Sequence, residues 1–221
     1  WLNNHKPTLF LSGDRMVTGD DRLLAPRTEL APYPREQLRA LDWVGNGVDI
    51  TVESQGIERK ANSIQAYMAR FLSQDQTFDI LIDDDRAGEA ADLVGIRVDK
   101  GDLHITLVHC KYSSKPTAGS RLSDLYEVCG QAMRGARWRD NGALPLLEHL
   151  DRRAKAYTRR TGLSPFEIGD REALFGIRQQ APQLFPRIST VIAQPYGPRA
   201  KSATVTILLW PRPLLMPSAT C

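Results

Sequence analysis

Apolar and polar positions divide the middle of the chain into short regular blocks. "FDILIDDD" (78–85) is an apolar run closed by acids, and "RAGEA" (86–90) reads as its turn. Two further apolar runs, Ala90–Val98 and Leu103–Tyr112, are joined by the polar connection "DKGD" at 99–102. That pattern predicts three consecutive antiparallel strands with a tight hairpin between the last two. On the N-terminal side, "IERKANSIQAYMARFLSQ" (57–74) places Ile57, Ile64, Met68, Phe71 and Leu72 on one face of a helix. On the C-terminal side, Leu122, Leu125, Cys129, Ala132, Met133 and Ala136 form a stripe that predicts a helix over about 122–138, packed on the sheet.

The flanks follow the same logic. "RMVTGDDRLLAPR" predicts a hairpin-like entry around "TGDD", a short helix is expected over 35–42, and "VDITVES" (48–54) alternates as a strand does. "LPLLEHLDRRAKAYTRR" (144–160) and "DREALFGIRQQ" (170–180) read as helices, with Asp170 capping the second. "RISTVIAQ" (187–194) reads as a strand, whereas "SATVTILLW" (202–210) fits a strand or a buried helix turn equally well. Alternating strands and helices predict an α/β chain: a central mixed sheet with a three-strand meander, flanked by helices and extended at both ends. The expected division is a β-rich addition over 1–50 packed on a main domain over 51–221.

Composition narrows the class. The 221 residues are 42% hydrophobic and 25% charged, which suits one substantial core and excludes disorder and fibrous folds. A net charge of +3 permits a polyanionic partner without demanding one. Cys110, Cys129 and Cys221 are widely spaced and form no CxxC pair, so neither a disulfide framework nor a zinc knuckle is indicated, and a cytoplasmic location is expected. There is no apolar stretch of the roughly 20 residues a bilayer requires, and no charged-then-apolar leader. The chain opens on Trp1, as expected of a piece cut from a longer polypeptide.

The chemistry gathers at one end of the predicted sheet. Residues two apart on a strand share a face, so His109 and Lys111 project together while Val108 and Cys110 face the other way. The hairpin return brings Asp92, at the start of the second strand, beside the end of the third. Buried charges must be paired, bound to metal or left in a cleft. An Asp92–Lys111 ion pair is the plain reading. Glu89 and the acids of "IDDD" concentrate around the same end, however, and dense acids beside a lysine suit a hard divalent cation.

These residues resemble a known family. The order helix, strand, "GEAADLVGI", "ITLVHCKYS" and a helix containing Gln131 is similar to the core of the PD-(D/E)XK nuclease superfamily, the restriction-endonuclease-like fold, over residues 57–138. The run "HCKYSS" through "DLYEVCGQA" resembles nuclease domains appended to helicase-type ATPases in bacterial restriction or defence proteins. The resemblance implies Mg²⁺ or Mn²⁺ as cofactor and hydrolysis of DNA phosphodiesters. It further implies a partner ATPase/helicase region on the same or another chain, and leaves the oligomeric state open, a dimer included. Asp92 matches the family's first acid and Lys111 its lysine. The second acid position is held by His109, which favours metals that accept nitrogen, such as Mn²⁺. Glu89 is the carboxylate placed to compensate, the backbone carbonyl of Cys110 matches a further oxygen ligand, and Gln131 would orient the lysine, the water or the DNA.

Other signals are weaker. The basic run Arg152, Arg153, Lys155, Arg159, Arg160 around Tyr157 reads as a solvated helix face or a phosphate track. Lys115 and Arg121 border the expected cleft and are preferred for DNA contact. Glu53 and Glu58 are long shots as metal ligands. No Walker loop and no Gly-x-Ser-x-Gly elbow occurs. The competing functional expectation is a nuclease-fold DNA-binding or docking module whose chemistry was lost at His109.

Overall fold

The computed structural model describes residues 9–11, 15–17, 23–24, 39–117, 127–128, 130–131, 138, 142–195 and 204–205. The chain divides into two compact units, Trp1–Arg35 and Glu36–Cys221. In the first, β1 (Leu9–Leu11), β2 (Arg15–Val17) and β3 (Leu23–Leu24) pair antiparallel in that order, so the hairpin expected around "TGDD" is present as β2–β3.

The second unit is built on a five-stranded sheet. Its strands are β5 (Ile80–Asp83), β6 (Leu93–Asp99), β7 (Asp102–Cys110), β8 (Phe166–Ile168) and β9 (Phe185–Ala193), in the order β8-β5-β6-β7-β9. β5, β6 and β7 form the expected antiparallel meander, and β9 joins β7 in parallel from Asp102↔Phe185 to Cys110↔Ala193. Between β6 and β7 the chain reverses over Lys100 and Gly101, at φ 48° and 87°, the backbone a two-residue hairpin turn needs. This is a mixed α/β architecture with helices on both faces of the sheet.

Side-chain alternation separates the two cores. Val94, Ile96, Leu103, Ile105 and Leu107 pack with Leu146, Leu147, Leu150, Leu174 and Ile177 from α2 (Ala143–Thr161) and α3 (Arg171–Gln180). Leu81, Leu93, Val108 and Cys110 pack on the opposite face with Ile64, Met68 and Leu72 of α1 (Ile64–Asp75), and with Trp43, Val48 and Ile50. On that second face position 95 is a glycine because a Cβ there would stand 2.4 Å from the Phe78 ring. The caps are local: Ser63 accepts from the Ala66 N–H, and Asp170 accepts from the Ala173 N–H as expected.

Three local expectations fail. The helix expected from Ile57 starts at Ile64, and Ile57 is exposed; Gly56 and Arg59 have positive φ (63° and 54°), which helix geometry forbids. Residues 48–54 form no strand and turn at Ile50 and Thr51, because the Asp49 carboxylate captures the Thr51 N–H and hydroxyl at 2.9 and 2.6 Å. Within 35–42, β4 (Arg39–Ala40) is a strand paired with β10 (Thr204–Val205), where a helix was expected. The helix expected over 122–138 lies mostly outside the described residues; Glu127, Val128, Gly130, Gln131 and Trp138 are helical. Among the described residues no helix is long and apolar enough to cross a membrane.

Candidate metal centre

The loop from β5 to β6 is tied down from three sides. Arg153 of α2 reaches across to it: its Nε bonds the Asp84 carboxylate, while its terminal nitrogens donate to the carbonyls of Asp84 at 2.7 Å and Ala87 at 2.9 Å. The other Asp84 oxygen accepts the Ala90 N–H at 2.8 Å. From α1, the buried Gln65 amide donates to Asp83 and to the Asp92 carbonyl, both at 3.0 Å. Within the loop Glu89 accepts the Arg86 N–H at 2.8 Å, and Gly88 supplies a φ of 85°.

Held in this way, the loop brings together Asp85, Glu89 and Asp92, each offering a carboxylate oxygen within 4.8 Å of the other two. Oxygens on a common ion at about 2.1–2.4 Å can be separated by at most roughly twice that distance, so the spacing admits one shared cation. Asp92 is almost wholly buried. Burial drives its carboxyl well above the usual carboxylate range, the charges of Glu89, Asp85 and Glu53 push it further, and the Cys110 N–H, donating at 2.8 Å, opposes them. A cation would relieve this crowding of like charge.

The expected residues fall around this cluster. Asp92 and Glu89 are members. His109 stands beside it, with Nδ1 4.0 Å from Asp92 Oδ2, and is not one of the three. Cys110 meets Asp92 through its N–H; its thiol is buried in the core on the α1 face and pushed up by that burial. Lys111 does not pair with Asp92. Its ammonium bonds Glu127 at 2.7 Å and lies 3.6 Å from Glu53. Burial pulls the Lys111 ammonium down, but the Glu127 hydrogen bond and the charges of Glu53 and Glu127 outweigh it, so the group is held protonated. Gln131 lies four residues beyond Glu127 in helical backbone and so on the same helix face. Its Oε1 is buried without a hydrogen-bond partner among the described residues. Lys115 is exposed in the loop after β7, and Arg121 lies outside the described residues.

Two residues gain importance. Asp85 completes the cluster, although nothing in "IDDD" distinguishes it from Asp83 and Asp84, which turn inward to Gln65 and Arg153. Glu53 accepts the Tyr112 N–H at 2.9 Å and is raised, chiefly by burial, with the Asp85 charge adding to it. Glu58 is exposed and pairs with Lys60. In the basic run, Arg153 serves the acidic loop and Lys155 pairs with Asp151 at 3.4 Å.

The chain matches no family model, no curated protein and no solved structure. The geometry of the site therefore carries the functional reading.

Proposed function

We propose that the chain is a divalent-metal-dependent endonuclease domain, with a restriction-endonuclease-like core, that hydrolyses DNA phosphodiester bonds. The observation that carries this is the carboxylate trio Asp85, Glu89 and Asp92 at the start of β6, linked through Glu53 to the charged Lys111. The meander within a mixed sheet, with α1 before it and helical backbone after it, agrees with the resemblance over 57–138.

Asp85, Glu89 and Asp92 would hold Mg²⁺ or Mn²⁺. With His109 outside the trio the ligands are all oxygen, so the nitrogen-based preference for Mn²⁺ lapses and either ion is expected. A bound ion would supply a water of lowered pKa and offset charge on the phosphate oxygens. Lys111, being protonated, acts as a fixed positive charge toward the phosphate and not as a proton acceptor. Glu53 and Glu127 hold that ammonium in place, and the Cys110 N–H holds Asp92. By the same resemblance the domain would serve a larger restriction or defence protein, with an ATPase/helicase region on its own or a partner chain.

The test is nicking of supercoiled plasmid in Mg²⁺ or Mn²⁺ by the wild type, Asp92→Asn and Lys111→Ala. Cutting by the wild type alone is expected, and equal cutting by all three would sink the proposal. His109 at the second acid position favours a second reading, a binding module without chemistry. That reading predicts salt-sensitive DNA binding with no metal-dependent cutting.

A further inference from the structure

A second feature shares the loop that builds the metal centre. A cavity of about 260 Å³ is walled by Asp83 at the end of β5, by Asp84 and Arg86 from that loop and by Arg153, Tyr157 and Arg160 from α2, with small or apolar residues elsewhere. It falls below the roughly 300–1,000 Å³ of sites for drug-sized ligands, so it suits one compact group and not a whole nucleotide.

Its polar groups are unevenly committed. Asp83 is taken up by the Gln65 amide and the Asp85 N–H, and Asp84 by Arg153 and the Ala90 N–H. Arg153 is in turn spent on Asp84 and on loop carbonyls. Arg160 is exposed and makes no hydrogen bond or ion pair with the described residues. Arg86, whose charge also acts on Asp83, lies with its guanidinium 3.7 Å from the centre of the Tyr157 ring, a stacking that fixes the plane of its fork. Tyr157 is 4% exposed with its hydroxyl buried out of reach of the cavity, so it serves the wall through the ring on which Arg86 stacks. Two guanidinium groups beside a small cavity, one of them stacked on the Tyr157 ring, match a tetrahedral anion, which accepts hydrogen bonds on every side.

We propose that this cavity receives a phosphate monoester, namely the terminal phosphate of a nucleic-acid strand. The anion chemistry stands on the cavity itself; the choice of a strand end rests on the nuclease reading, since Asp85 of the same loop belongs to the carboxylate trio. A strand end anchored here lies along the loop that carries the hydrolytic centre.

The test compares fluorescence anisotropy of short single strands bearing a 5′-phosphate, a 3′-phosphate or only hydroxyl ends. It is run in EDTA, with inorganic phosphate as competitor, on the full chain and on Arg160→Gln and Tyr157→Phe. One phosphorylated end is expected to bind about tenfold more tightly than the hydroxyl strand. Arg160→Gln, at an exposed position, abolishes that advantage, Tyr157→Phe, which keeps the ring on which Arg86 stacks, preserves it, and inorganic phosphate competes it away. Equal affinity for all three strands overturns the proposal, as does an advantage that survives Arg160→Gln. Free phosphate bound without end preference overturns the assignment to a strand end. Nicking of closed circular plasmid, which has no ends, judges the nuclease reading separately, so either can fail alone.

Discussion

Asp92→Asn separates a ligand from a structural carboxylate. In the metal-free protein Asp92 is buried, crowded by Glu89, Asp85 and Glu53, and supported by one N–H from Cys110 at 2.8 Å. Asparagine keeps an acceptor for that N–H and removes the charge, so it should stabilise the fold. Relief at functional sites of this kind is worth about 0.5–2 kcal/mol, or roughly 1–8 °C in Tm for a unit of this size. Asp92→Ala removes the charge as well but strands the buried Cys110 N–H, and should fall below Asp92→Asn by about 1–3 kcal/mol. The assay is thermal unfolding in EDTA and then in saturating Mn²⁺. At a hundredfold excess over Kd the ion adds about 2.7 kcal/mol to the wild type, roughly 5–11 °C, and little to either variant. Asp92 is not a metal ligand under strain if Asp92→Asn loses as much stability as Asp92→Ala, or if Mn²⁺ raises its Tm as far as the wild type's.

Burial raises Asp83 and Asp84 from 3.8 to about 6. The folded protein thus holds these protons more tightly than the unfolded chain, and stability is lost as pH rises through that window and levels off above it. Asp83→Asn, which keeps an acceptor for Gln65, should gain on the wild type by up to about 3 kcal/mol between about pH 4 and 7 in urea titrations; a constant difference would contradict this. Lys111→Met should lower plasmid cutting by about 10²–10³-fold while leaving calorimetric Mn²⁺ affinity within about threefold, and a parallel loss of metal would make Lys111 structural. Arg153→Ala leaves Asp84 buried without its cation and should cost about 3–5 kcal/mol by urea midpoint, with weaker Mn²⁺ binding because Asp85 and Glu89 ride on the same loop. A loss under about 0.5 kcal/mol would show that the loop does not depend on it.

What the sequence makes legible is what short-range pattern controls. The meander follows from three apolar runs and one "DKGD" reversal, and the register of that hairpin already sets Asp92 beside His109. Capping by Asp170 is a matter of three residues. The misread segments were decided otherwise. Val48–Ser54 alternates, yet Asp49 bends it locally; Arg39–Ala40 takes its partner 164 or more residues away, at Thr204–Val205. The site divides along the same line. Asp92 and Lys111 could be placed by strand geometry, but Lys111 takes its partners from Glu53 and Glu127, residues the meander does not contain. Asp85 is singled out from its acidic neighbours only because Gln65 and Arg153, on two different helices, draw Asp83 and Asp84 away. His109 stands in the chain where the resemblance leads one to expect a second acid, while in space a turn residue, Glu89, joins Asp85 and Asp92.

A crystal of the full chain soaked in Mn²⁺ and measured at the manganese edge puts the metal centre to its most direct trial. One anomalous peak should lie about 2.1–2.4 Å from carboxylate oxygens of Asp85, Glu89 and Asp92 and be missing in Asp92→Asn crystals. No peak at saturating Mn²⁺, or one bound at His109 away from these three acids, would contradict it.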